Sequence, residues 1–150
     1  MAGNTELSNK LTSRLIELSN TGDSLVREIT LPLVRGIDAF ASKSYDDAVN
    51  YLEPVFPQLA RIGGSHAQRE VFEDTLLAAY LFSGQYEKGQ EMLDSRLKKR
   101  ASVRDSFWLG KLQSETNQNA IAASNLESVR NRWNGADSNS QETRTLSQLL

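Results

Sequence analysis

The stretch from Gly36 to Val55, GIDAFASKSYDDAVNYLEPV, holds two apolar patterns separated by a polar break. Ile37 and Phe40 continue a stripe that begins with Leu25, Ile29 and Leu33, and Ala48, Val49, Leu52 and Val55 open a second one that reaches Leu59. Both follow the three-and-four spacing of one helix face. Ser44-x-x-Asp47 between them resembles a capping signal. The pattern predicts two helices, from about 24 to 42 and from about 44 to 62, folded back on each other. Pro54 and Pro57 lie inside the second by pattern, each removing an amide donor, so that helix is expected to bend. Pro32 either kinks the first helix or marks where a repeat begins.

The same layout returns twice. Gly36, Tyr45, Ala48, Leu52 and Val55 align with Leu77, Tyr86, Gly89, Leu93 and Arg96, and again with Gly110, Asn119, Ala122, Leu126 and Val129. The offsets are 41 from Tyr45 to Tyr86 and 33 from Tyr86 to Asn119. A tetratricopeptide repeat has a period of about 34 residues, with a small residue in its first helix where the second helix approaches. Tyr80 and Gly84 extend the match in the middle unit, and the excess in the first unit is about two helical turns. The third unit carries Gln113 and Asn119 where aromatics are expected.

Working outward, Leu7, Leu11, Leu15 and Leu18 draw one stripe on a helix at about 5–20, stopped by Asn20-Thr21-Gly22-Asp23. The segment 134–150 is a polar tail in which Leu146, Leu149 and Leu150 can form a short capping helix, as repeat arrays require at their ends. The expected organisation is a helical repeat domain over 1–133. It has about seven helices, with three repeat-like pairs at about 29–62, 66–100 and 103–133. The expected fold is all-α, a tetratricopeptide-like array of antiparallel helix pairs in a right-handed superhelix.

Composition agrees. The 150 residues include 20 Leu and 13 Ala against 12 Val plus Ile, a balance that favours helix. With no cysteine and one histidine, thiolate chemistry and Cys- or His-based metal centres are excluded, and no metal or cofactor is expected. A net charge of −2 argues against a nucleic-acid partner. No secretory start is visible, and the longest strongly apolar run, Leu76 to Phe82, is far too short to span a bilayer. A soluble, cytoplasmic protein without a membrane partner is the expectation.

Around Gly63 the sequence becomes more specific. Leu31-Pro32-Leu33 with Gly36, Leu52-Glu53-Pro54-Val55, and the run from Arg61 to Phe72, RIGGSHAQREVF, resemble the tetratricopeptide repeat protein 38 family. The resemblance is strong from about 31 to 84 and weaker to about 112, and it covers the C-terminal portion of a considerably longer family member. It implies a helical repeat protein that binds other proteins, without an established activity or cofactor.

The same run reads well physically. Gly63 or Gly64 ends one helix in the left-handed conformation, and Ser65-x-x-Gln68 is a capping box for the next. A nucleophile–base reading of Ser65, His66 and Glu70 needs convergent side chains and an oxyanion hole. Adjacent residues on a first helical turn point about 100° apart, so no catalytic residues are assigned. The carboxylates of Asp46-Asp47 and Glu73-Asp74 fit helix N-terminal turns. The basic run Arg96-Leu97-Lys98-Lys99-Arg100, followed by Arg104, fits cations complementing a helix C-terminus and lacks the aromatics that base stacking needs.

If the first helices of the pairs line a concave face, that face carries Leu33, Ile37 and Phe40, then Asp74, Leu81 and Phe82, then Arg104, Phe107 and Lys111. Leu33 and Ile37 stand where a carboxylate clamp would need Lys and Asn. The expected ligand is a protein or peptide held on this apolar face. The alternatives are that the face is covered by the helix at 5–20, by a second copy in a homo-oligomer, or by further repeats. A charge added at Phe82 or Phe107 is expected to abolish capture and leave helix content intact.

Overall fold

The computed structural model describes residues 2–133, 135 and 140–150, with side chains from Glu6 onward. All the regular structure among them is helical: α1 (Ala2–Asn20), a π-helical segment (Val26–Thr30), α2 (Leu31–Ala41), α3 (Tyr45–Leu52), a 3-10 segment (Phe56–Ile62), α4 (His66–Phe82), α5 (Tyr86–Lys99), α6 (Val103–Glu115), α7 (Asn119–Arg132) and α8 (Gln141–Leu149). The chain divides into two compact units, 1–84 and 85–150. The pair expected at 66–100 therefore has its first helix in one unit and its second in the other.

In the first unit, α1 packs on the π segment and α2. Leu15, Val26 and Leu31 form a small core flanked by Leu18 and Val34. Nearer the start of α1, Ser8 Oγ donates to Asp38 Oδ1 at 2.8 Å, so α1 runs back along α2. The reversal is made at Gly22, with φ +96°, and Asp23 Oδ1 accepts the Val26 amide. Pro32 does not break the helical path, and it stands in the first turn of α2. The π segment precedes it, and the Leu31 amide reaches back five residues to the Val26 carbonyl. Widening one turn in this way lets a helical path continue into a residue with no amide proton.

The α2–α3 pair is closed by Gly36. A Cβ built there would lie 2.5 Å from Leu52 Cγ, so the two helices meet with no room for a methyl group. The stripe read from the sequence is the core of this pair: Ala48, Val49, Leu52, Val55 and Leu59 are all buried. Its helix is not what the pattern suggested. Pro54 and Pro57 end α3 at Leu52, and the chain proceeds through three-residue hydrogen bonds, Val55 to Leu52 and Gln58 to Val55, into the 3-10 segment. Each proline lacks the amide an α-helix would require and so breaks the helix, yet the tighter spiral still brings Val55 and Leu59 inward. Arg61 donates to Glu28 Oε2 at 3.0 Å and joins the 3-10 segment to the π segment. Arg61, then Arg27, holds the Glu28 carboxyl below its ordinary value.

The second unit repeats the device. A Cβ on Gly110 of α6 would stand 2.8 Å from Leu126 of α7, the register counterparts of Gly36 and Leu52. Ala122, Leu126 and Val129 are buried, as Ala48, Leu52 and Val55 are. α8 packs on α6 and α7, closing a core of Phe107, Leu126, Val129 and Leu146 with Trp108, Trp133 and Leu149 at its edge.

The turns also share one geometry. Lys43 and Asn117 have φ of 63° and 60°, and Gly84 has 75°. These three residues sit two places before Tyr45, Asn119 and Tyr86, the aligned repeat positions. After α2, the Ser44 amide bonds to the Ala39 carbonyl and that of Lys43 to Phe40. After α6, Gln118 bonds to Gln113 and Asn117 to Ser114. This is the paired helix stop that a left-handed residue makes possible. Ser44 does not cap α3 through its hydroxyl as the sequence suggested; Ser44 Oγ donates to Asp47 Oδ2 at 2.6 Å.

Gly36→Ala or Gly110→Ala forces the facing leucine aside and should cost about 1–3 kcal/mol, read as a lower midpoint in urea unfolding. Lys43→Gly relieves a left-handed side chain and should raise stability by up to about 1 kcal/mol.

Candidate functional site

The residues expected on a recognition face separate by burial. In the first unit Leu33 is 4% exposed and belongs to the core, whereas Ile37 is exposed and Phe40, Asp74 and Leu81 are half-buried. Phe82, at the end of α4, is 48% exposed. Three elements bring aromatics together here. The Phe40 ring lies 5.5 Å from Tyr45 and 6.2 Å from Phe82, and Tyr45 lies 5.0 Å from Phe82. The turn through Lys43 places Phe40 and Tyr45 side by side, and α3 packs on α4, which delivers Phe82. Edge and tilted ring contacts at these distances add about 0.5–1.5 kcal/mol each beyond burial. The sequence marks Tyr45 as an aligned position but gives no sign that it joins this surface.

In the second unit Arg104 is exposed and Lys111 is half-buried, its ammonium 5.3 Å from the Trp108 ring centre. Phe107 is 1% exposed. It touches Trp108 and Trp133 at 5.6 and 5.4 Å and shares its core with Leu146 of α8. The expectation that a charge at Phe107 would spare the fold is therefore corrected: α8 covers the face that Phe107 would otherwise show. A cleft of about 140 Å³ beside it is lined by Arg104, Trp133, Ser140 and Glu142.

The capping box forms as read. The Ser65 amide donates to Gln68 Oε1 at 2.7 Å, and the Gln68 amide donates to Ser65 Oγ at 3.3 Å. Gly63 and Gly64 both have φ of 75°, and a Cβ on Gly64 would meet Gln68 Oε1 at 2.9 Å. Arg69 adds what the sequence reading missed, donating from one guanidinium nitrogen to the carbonyls of Gly63 and Gly64. His66 is exposed, and its Nδ1 lies 3.4 Å from Glu70 Oε1. Ser65 and His66 thus face different partners.

The second missed feature is buried charge. Asp105 is 2% exposed and accepts from Arg96 at 3.0 Å, tying α5 to α6, while its amide donates to Ser102 Oγ. The sequence places Arg96 among cations complementing a helix C-terminus, and nothing local marks it as the partner of a first-turn aspartate. Gln113 is likewise buried and accepts from Asn125 at 2.8 Å, so a polar pair stands where the sequence comparison led one to expect an aromatic. Among the described residues no cluster of three or more His, Asp or Glu could hold a metal ion. No described helix is long and apolar enough to cross a membrane.

No protein-family model matches the chain, and no solved structure matches it significantly.

Ser65→Ala should lower stability by about 0.5–2 kcal/mol, with Gln68 left to cap alone. Arg96→Met leaves the Asp105 carboxylate buried without its cation and should cost about 3–5 kcal/mol in the same urea measurement.

Proposed function

We propose that the chain is a non-catalytic interaction scaffold of tetratricopeptide-like repeats that binds a protein or peptide partner. One observation carries the repeat reading. The left-handed turn residues Lys43, Gly84 and Asn117 recur at the two sequence offsets already found for the tyrosine positions. The glycine–leucine approaches at Gly36–Leu52 and Gly110–Leu126 occupy matching places in that register. The resemblance of residues 31–84 to the tetratricopeptide repeat protein 38 family supports the same architecture and a role in holding other proteins.

For the binding surface, the support is the aromatic group of Phe40, Tyr45 and Phe82, which presents a large, stiff apolar area at low conformational cost. Ile37, exposed on the same helix as Phe40, extends the apolar character. The cytoplasm is the proposed compartment. A structural or self-associating role is the second reading, favoured by Leu7 and Leu11 of α1, which are 66% and 51% exposed.

Phe82→Asp should abolish capture of a partner from lysate and leave the far-ultraviolet helix signal unchanged. A strict monomer by light scattering that captures nothing would overturn both readings.

A further inference from the structure

The strongest charge cluster runs from the last turn of α5 through the α5–α6 linker to the start of α6, and the scaffold reading makes no use of it. Between Arg96 and Asp105 there are five cations and one carboxylate. Lys98, Lys99 and Arg100 immediately precede Ala101 and Ser102, and Val103 follows. Ser102 is the only serine or threonine in the sequence with a cation both two and three residues before it. A kinase cleft that selects basic substrates does so with carboxylates facing those two side chains, and it takes the substrate as an extended strand. Ser13, Ser106, Ser114 and Ser147, each with one cation at one of those positions, are all inside helices. Ser102 is different: it lies outside the helices, in the linker of Arg100 to Ser102 that follows Lys99 at the end of α5. Arg100 has φ −155° and ψ 139°, Ser102 has φ −135° and ψ 122°, Lys98 to Ala101 are exposed and Ser102 is half-buried.

We propose that Ser102 is a phosphorylation site for a basophilic serine kinase using MgATP. In the transfer, Ser102 Oγ forms a bond to the γ-phosphorus, the bridging bond to the β-phosphate breaks, ADP leaves, and the hydroxyl proton passes to the kinase's base. Ser102 Oγ already accepts the Asp105 amide at the start of α6. The product phosphate therefore sits at a helix N-terminus, where the dipole and the neighbouring cations favour a charge of about −2. The carboxylate of Asp105, whose amide Ser102 Oγ accepts, is already paired with Arg96 at 3.0 Å. The modification converts the chain's most basic segment into one of mixed charge.

The test is incubation of the full folded chain with a basophilic serine kinase and MgATP, followed by intact mass and fragment mapping. One phosphoryl group at Ser102 is expected, lost in Ser102→Ala. Arg100→Gln keeps the helix cap and should slow the transfer at least about tenfold by removing one charged recognition pair. Circular dichroism on both variants separates loss of the site from loss of the fold. No transfer to the folded chain, transfer that persists in Ser102→Ala, or transfer only after heat denaturation would overturn the proposal.

Discussion

A leucine side chain lying directly on a glycine sets the geometry on which the rest of this fold depends. At Gly36 and Leu52, and again at Gly110 and Leu126, the helices approach until no methyl group fits between them. Interiors pack near crystal density, so a gap or an overlap of one methylene there is felt throughout the pair. With the axes that close, the small Ala48 and Ala122 must face inward and the valines at 55 and 129 can reach the core. The turn between helices is constrained in consequence. It has to reverse the chain within three residues, which demands a left-handed residue, and the chain accepts Lys43 and Asn117 for it where glycine would be easier.

Each unit supplements that device differently. The first relies on aliphatic packing and on backbone adaptation to proline, with the π segment ahead of Pro32 and the 3-10 segment around Pro57. The second buries polar groups, pairing Arg96 with Asp105 and Asn125 with Gln113. Buried pairs of this kind contribute little net stability compared with apolar side chains, but they penalise any register in which one partner is left alone. Among the described residues every buried side-chain polar atom has a partner. α8 then covers Phe107 and supplies the last apolar surface the unit needs.

The apolar periodicity was legible because it records burial, and burial does not depend on which helix type delivers it. Val55 and Leu59 belong to the apolar stripe and are buried, although the α-helix expected to carry them ends at Leu52. The Ser65–Gln68 box was legible for a similar reason: both partners lie within one turn of each other. Lys43 and Asn117 were not, since left-handed backbone at a non-glycine residue is imposed by the packing of the pair. The Arg96–Asp105 pair joins side chains from two helices, and no spacing rule announces it. The spacing of the sequence identifies the face of the helix on which Phe107 lies; whether that face is open depends on α8, a part of the polar tail. Of the candidate site, Phe40 and Phe82 come together, and Tyr45 completes them from an aligned position.

The claim that the glycine–leucine approach organises each pair is tested most directly by a double-mutant cycle on Gly36→Ala and Leu52→Ala, measured by equilibrium urea unfolding. The account predicts strong coupling: the added methyl is costly against leucine and nearly free, or helpful, against alanine, a difference of about 1 kcal/mol or more. Additive effects of the two substitutions would contradict it.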